Sequence, residues 1–353
     1  MIEGLLQEHI DGLSFPGIML LVQIDGKTVI KMAMGNMESG SQNMPITEKT
    51  LFDLASVTKP LATTTTFLAL CEAQAISLDQ TAGHFLSGLN SKAADISLTQ
   101  LMTHTSGLPP IPEIFKLFAA EEEIDRNRAL EHLYSIAPEQ TPGQEVIYSC
   151  TGYILLTRIL NEIAGCSLSE AFEKLITGPG RIDDLIFNPG EEDRKRAAST
   201  EYCPWRGRLL KGEVHDENSF CLGGEGGNAG LFGTADAVAE LLELFSSEGE
   251  LGRKQLLSPL HIHKMTRAQT GPLVPGRALG FLTQCSESFA GPGFSGDAFG
   301  HTGFTGTSVW MDNSRRLKVV ALTNRVNLGR EETAEKIKSF RTSLHQTLLK
   351  ELF

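Results

Sequence analysis

The strand-like text of this chain sits at its two ends, and that placement limits the folds open to it. Residues 18–24 and 28–34 are apolar and β-branched runs around Asp25-Gly26, a pair suited to a tight hairpin turn. Far down the chain, residues 307–311 and 317–323 read as a second pair of strands around Asp312-Asn313. From about 75 to 214 the text is helical and loop-rich, broken by Pro109-Pro110 and Pro112. The economical arrangement is one antiparallel sheet built from both ends, with the helical middle as an insertion. Helices flank the sheet. Residues 2–13 place Ile2, Leu5, Leu6, His9 and Leu13 at helical spacing, and residues 331–352 place Ile337, Phe340, Leu344 and Leu348 on one face. Further helices are expected over 57–74, 152–164, 168–176 and 234–245. In the first of these, four threonines (63–66) lower the intrinsic propensity, so it must depend on burial.

Composition narrows the class. The chain has 353 residues with 41% hydrophobic and 21% charged, ordinary for a globular protein. Its net charge of −12 argues against a nucleic-acid backbone as the partner. No run approaches the roughly 20 apolar residues that cross a bilayer, and no basic, apolar leader opens the text, so no membrane partner is expected. Six cysteines, at 71, 150, 166, 203, 221 and 285, are too scattered for a zinc ribbon and fit a reducing cytoplasm. Nothing in the sequence indicates an oligomeric state, a metal or an organic cofactor.

Three segments could carry chemistry. Ser56-Val57-Thr58-Lys59 puts a hydroxyl and an amine on one helix face, about 60° apart and roughly 4.5 Å along the axis. A serine needs a base, and the start of a helix favours a developing oxyanion. Taken alone, the same four residues read first as a serine cap with an exposed lysine. Tyr148-Ser149-Cys150 precedes a helix, where a tyrosine can relay protons or simply pack. His301-Thr302-Gly303-Phe304 enters a strand whose glycine admits a substrate backbone or marks a bulge. The run 214–218 (VHDEN) is read as a loop that lines the pocket or serves the fold. His104 is read as ordering its turn, and His261 and His263 as a solvated helix face.

The order of the three segments, about 90 and about 150 residues apart, resembles the serine β-lactamase and penicillin-binding superfamily, in which Ser-x-x-Lys opens such a pattern. The branch with class C β-lactamases, D-alanyl carboxypeptidases and related esterases is the most similar. It carries Tyr-x-Asn second and Lys-Thr-Gly or His-Thr-Gly third. Residues 51–55 (LFDLA), 101–108 (LMTHTSGL), 227–236 (GNAGLFGTAD) and 324–326 (NRV) extend the likeness nearly end to end. The resemblance implies an α/β fold of the β-lactamase/transpeptidase type, an antiparallel sheet flanked by helices with a mostly helical subdomain. It implies one domain, 1–353, with an α/β lobe from about 1–75 and 215–353 and a helical lobe from about 76–214.

The same resemblance implies roles. Ser56 is the nucleophile. Lys59 accepts its proton or lowers the pKa of Tyr148, and Tyr148 is the base or the relay to the leaving group. His301, Thr302, Gly303 and Phe304 bind substrate, with His301 polarising Tyr148 or holding a carboxylate. The N–H groups of Ser56 and Phe304 form the oxyanion hole. The pocket walls come from roughly 109–125, 203–226 and 286–299. Cys150 stands where the family has asparagine, and a thiol is a poor substitute for an amide that binds substrate. The expected activity is a serine hydrolase acting through an acyl-enzyme on a small ester, amide or β-lactam. D-alanyl carboxypeptidase activity and a non-catalytic ligand-binding role are the alternatives.

Overall fold

The computed structural model describes residues 1–41, 43–284 and 290–353. Cys285 and residues 286–289 of the expected pocket wall lie outside the described residues. Helix α1 (Ile2–Asp11) leads into strand β1 (Gly17–Ile24), which turns at Asp25-Gly26 into β2 (Lys27–Gly35). Both turn residues have positive φ, 52° and 71°, the twist a two-residue hairpin needs. Strands β3 (Leu282–Thr283), β4 (Phe299–Thr302), β5 (Ser308–Asp312) and β6 (Leu317–Thr323) come from the far end. The sheet runs β3-β4-β5-β6-β1-β2, and every neighbouring pair is antiparallel. The two ends meet at β1 and β6, in register from Ile18 opposite Thr323 to Ile24 opposite Leu317.

Strand β1 shows why the sheet needs cover on both faces. Its first six residues are all buried. Ile18, Leu20 and Val22 pack with Leu6, Trp310 and Phe340 under the terminal helices. Met19 and Leu21 point the other way, toward Leu61, Phe67 and the interior helices. The period of two along a strand therefore divides its side chains between two cores. The first is closed by α1 and by the last helix, Ala334–Leu352. The second contains Thr65–Gln74, Cys150–Ala164 and Ala235–Ser246.

The threonine run is fully buried, as its position on a helix of low propensity requires. Thr63 Oγ1 donates to Gly227 O at 2.7 Å, Thr65 Oγ1 to Pro60 O at 2.8 Å, and Thr64 Oγ1 meets Tyr153 Oη at 3.1 Å. Tertiary hydrogen bonds supply what propensity lacks.

The middle of the chain holds strands that the sequence does not announce. Leu185–Phe187 and Phe52–Asp53 pair on either side of Leu231–Gly233. Ser199–Cys203 pairs with Arg208–Lys211. Strands of two or three residues are too short to display alternation, and Ser199–Cys203 is buried at four of five positions with mixed polarity. The last helix begins at Ala334, three residues later than its periodicity suggests. Thr333 Oγ1 instead donates to Gly329 O and accepts from Arg325 Nη1.

Phe340 is fully buried, with Phe15 and His9 edge-on at 4.8 and 4.9 Å. Phe340→Ala is expected to lower stability in chemical denaturation by about 3–5 kcal/mol. A loss under 1 kcal/mol would mean the terminal helix does not close this core.

Candidate active site

Ser56 is presented by a short strained turn. Asp53, paired with Phe232 in the small sheet, is buried. Its Oδ1 accepts the N–H of Ala55 at 2.8 Å and its Oδ2 that of His215 at 2.7 Å. Burial raises the pKa of this carboxyl, and the amide donors oppose that rise. Ala55 is held at φ 46°, a left-handed conformation that a residue with a Cβ adopts only under restraint. Its amide bond to Asp53 is part of that restraint. Ser56 follows in the 3-10 turn Ala55–Val57, and the chain runs on as a wide π-wound stretch, Lys59–Thr64, into the helix Thr65–Gln74. Pro60 fits in the first turn because no partner awaits its missing N–H.

Lys59 is fully buried directly beneath Ser56. An ammonium has three N–H donors, and three acceptors surround this one. They are Ser56 Oγ at 3.1 Å, Asn228 O at 2.8 Å and Cys150 Sγ at 3.5 Å. Burial works against the charge, but interaction with Cys150 and Tyr148 outweighs it, and the pKa stands above the ordinary lysine value. Asn228 lies in the Gly-rich run, so that run serves to bring a carbonyl to the lysine.

Tyr148 ends a loop shaped by the proline break. Ser149 caps the helix Cys150–Ala164 through Gly152 N–H at 3.0 Å and donates its own hydroxyl proton to Pro109 O at 2.8 Å. Cys150 N–H bonds to Pro110 O at 2.8 Å, and Ser149 N–H to His104 Nδ1 at 3.0 Å. His104 does order this turn. It also packs against the Tyr148 ring, at 4.5 Å between centroids. Lys59 Nζ and the Arg277 guanidinium approach the same ring at 4.8 and 5.4 Å.

The third segment is stapled to the first. Thr305 Oγ1 donates to Asp53 O at 2.8 Å, and Thr307 Oγ1 to Leu54 O at 3.2 Å. Arg341 holds the Gly303 and Thr307 carbonyls, and Arg325 holds that of Phe304. Gly303 has no room for a Cβ, which would lie 2.1 Å from Thr307 Oγ1 and 2.7 Å from Leu54 O. The flanking amides of Val57 and Gly303 are bonded to Leu54 O and Thr307 O. His301, at the end of β4, is buried and donates Nδ1–H to Thr302 O at 2.9 Å. Burial, with Arg277 and Lys59 nearby, drops its pKa well below the ordinary value, so the imidazole is neutral at pH 7.

Ser56, Tyr148, His301, Thr302, Gly303 and Phe304 line one cavity of about 470 Å³, completed by Arg277, Leu282, Arg325, Ala334, Ile337, Lys338 and Arg341. Lys59, which is buried, and Cys150, which is half-buried, are not among its lining residues. The run 214–218 is a loop only in part, since Asp216 caps a short helix, Glu217–Cys221; His215 backs the site, stacking on Phe304 at 5.5 Å and reaching Glu201 Oε1 at 3.1 Å. Arg277 and Arg341 carry no local signature, since each enters from an element remote in sequence. On the helix face read as solvated, His263 is exposed, and His261 is half-buried with its Nδ1 bonded to Glu72. Among the described residues, no group of three or more His, Cys, Asp or Glu is placed to hold a metal.

This arrangement has relatives. The sequence matches the model of the beta-lactamase family over residues 2–341. The chain belongs to the beta-lactamase family. It is 30% identical over 348 residues to the N-acetylmuramyl-L-alanine amidase of Bacillus subtilis (strain 168), covering 88% of this chain and 77% of the relative. Among solved structures, the hydrolase EstCE1, which has promiscuous acyltransferase activity, superposes with a TM-score of 0.74 at 21% identity over 97% of both chains. The octameric penicillin-binding protein homologue from Pyrococcus abyssi gives 0.74 at 20% identity, over 98% of this chain and 76% of that one. The β-lactamase/transpeptidase-like fold expected from the sequence is the fold observed, and this family member is a serine hydrolase.

Removing the Asp53 carboxylate leaves two buried amides without partners, at about 1–3 kcal/mol each. Asp53→Ala is expected to lower stability by about 2–4 kcal/mol and to depress turnover together with it. Unchanged thermal unfolding would show that Ala55 is held by other means.

Proposed function

We propose that Ser56 is the nucleophile of an acyl-enzyme hydrolase acting on small esters, and more slowly on amides. The observation that carries this is the Ser56 Oγ to Lys59 Nζ contact of 3.1 Å at the floor of the cavity. Ser56 Oγ attacks the acyl carbon, a tetrahedral oxyanion forms, and the leaving group departs with a proton. Water then releases the acyl group. The N–H groups of Ser56 and Phe304 receive the oxyanion.

Lys59 or Tyr148 takes the serine proton: Lys59 Nζ lies 3.1 Å from Ser56 Oγ, and Tyr148 lines the same cavity. Lys59 offers three donors to three acceptors, and its raised pKa comes from its interaction with Cys150 and Tyr148 against the opposing effect of burial, so these groups titrate together. As an ammonium it fixes Ser56 and supplies positive charge beside the developing oxyanion. Cys150 satisfies the lysine weakly and offers nothing comparable to an amide for a substrate's peptide-like group. That favours esters. The cleft lies between a mostly helical lobe of residues 76–214, which contributes Tyr148, and an α/β lobe of residues 1–75 and 215–353, which contributes the other lining residues. The described cysteines are all free, which supports a reducing, cytoplasmic setting. No helix among the described residues is long and apolar enough to cross a membrane.

Wild-type protein is expected to hydrolyse p-nitrophenyl butyrate and to gain one butyryl mass in quenched samples. Ser56→Ala should lose at least about a thousandfold in kcat and gain no mass. Full activity in that variant would remove Ser56 as the nucleophile. Cys150→Asn supplies a donor and an acceptor together, worth about 1–1.5 kcal/mol to a bound amide. The ratio of amide to ester hydrolysis should rise roughly tenfold; a ratio that falls or holds would show that residue 150 does not set this preference.

A further inference from the structure

A second cavity, of about 210 Å³, is enclosed by the helix Cys150–Ala164, the helix Arg126–Ser135 and residues 222–226. It shares no lining residue with the catalytic cavity. Most polar groups in its wall are already matched. Thr157 Oγ1 donates to Tyr153 O at 3.0 Å, and the N–H of Gly226 to Ser219 Oγ at 2.9 Å. Glu225 Oε2 accepts the N–H of Ser169 at 2.9 Å, and its Oε1 an N–H of Asn188 at 3.3 Å. Three groups are left over. Arg158 Nε and Asn161 Oδ1 are buried without a hydrogen-bond partner. They stand three residues apart on one helix face, a donor beside an acceptor, and both line the cavity. The third is Arg126. Its Nη2 packs over Gly223, where a Cβ would lie 2.8 Å away. Among the described residues, neither Arg126 nor Arg158 makes a side-chain hydrogen bond or an ion pair. In a chain with a net charge of −12, two arginines in one cavity without an acidic partner call for a reason.

The unmatched groups define a ligand. A pair of guanidiniums recognises a carboxylate or a phosphate. A phosphate dianion is disfavoured here, because Asn161 Oδ1 and the Glu225 carboxylate would both face its oxygens. These acceptors ask for a donor instead, and the Glu225 carboxylate has lone pairs beyond the two it uses. The wall thus carries two positive charges and one negative, which a carboxylate and an ammonium on one small molecule would answer. A single water would join Arg158 Nε–H to Asn161 Oδ1 but would leave both guanidiniums without a counter-charge. The volume is below that of pockets for drug-sized ligands, so the molecule is a few carbons long. Leu130, Ile154 and Leu222 leave an apolar side for a short aliphatic group. We propose that this cavity binds a small aliphatic α-amino acid, with its carboxylate on Arg126 and Arg158 and its ammonium on Asn161 Oδ1 and Glu225. The proposal does not rest on the reading of Ser56 as nucleophile.

The site borders the segment that serves Lys59. Gly226 is followed by Gly227, whose carbonyl accepts from Thr63, and by Asn228, whose carbonyl accepts from Lys59. A ligand bonded to Glu225 and to Arg158 ties this segment to the helix Cys150–Ala164. Bound protein is therefore expected to unfold at a higher temperature than free protein.

The test is equilibrium dialysis of the full-length protein against radiolabelled alanine of either hand, with propionate, ethylamine and inorganic phosphate as competitors. One saturable site per chain is expected for at least one hand. Propionate and ethylamine each present half of the recognised pair and should displace alanine at least about tenfold less well than alanine itself. Arg158→Met keeps the aliphatic stem without the charge, and Asn161→Leu keeps the shape without the acceptor. Both should weaken alanine binding at least about tenfold and leave p-nitrophenyl butyrate hydrolysis within about threefold of wild type. No saturable binding of either hand would overturn the proposal. Displacement by phosphate at lower concentration than by unlabelled alanine would make the cavity a plain anion site. Unchanged binding in both variants would place the amino acid elsewhere in the protein. Loss of hydrolysis along with binding, in folded variants, would make the cavity part of the catalytic site. Ser56→Ala should bind alanine as wild type does whatever its own activity, so the two readings fail separately. If Arg158→Met does not fold, Asn161→Leu decides alone.

Discussion

A positive charge with no exposed surface lies at the centre of this molecule, and the arrangement of the segments around it follows from keeping that charge. Isolated, a buried ammonium would be strongly unfavourable. Lys59 avoids this by drawing acceptors from three places in the chain: Ser56 one turn before it, Cys150 at the start of the helix 150–164, and Asn228 in the Gly-rich run. The last two are 91 and 169 residues away in sequence. The lysine thus fixes the position of the middle of the chain relative to the helix that carries Ser56. Withdrawing one acceptor leaves a charge partly unmet, so the same contacts serve stability and the geometry of the site.

Around that charge the site is held mainly through backbone. Asp53 bonds to two amides, and Thr305 and Thr307 fasten the turn at 303–307 to the carbonyls of residues 53 and 54. Arg325 and Arg341 hold the same turn from its other side. The result is a rigid pair, Ser56 on one segment and Phe304 on the other, with the cavity between them. Preorganised donors of this sort lose nothing to reorganisation when charge develops. The left-handed Ala55 is the strained point, and Asp53 and the small sheet under it keep it in place.

Replacing a lysine by a neutral histidine in the third segment changes what the site can do with protons. His301 commits Nδ1–H to the Thr302 carbonyl, and burial beside Arg277 and Lys59 lowers its pKa. Cys150 is the second departure. It completes the coordination of Lys59 through a weak acceptor, where an amide would offer both a donor and an acceptor.

Much of this was legible in the sequence, because the signals concerned are local. The hairpin at Asp25-Gly26, the period of β1 and the apolar stripe of the last helix depend on neighbours a few residues away. The spacing of Ser56 and Lys59 on one helix face does too. The likeness to a known family reached the remaining motifs because their order along the chain is itself a signal. Tertiary structure alone decided the rest. Asn228 contributes a backbone carbonyl, which any residue could offer. Arg277 and Arg341 reach the cavity from elements distant in sequence, and the short strands at 185–187 and 199–203 have too few residues to show a period. The protonation of His301 is of the same kind. One contact, the Thr302 carbonyl, assigns its tautomer, and burial beside like charges keeps it neutral. No residue type or spacing encodes either, because both arise only when the separate segments are folded around the same few ångströms.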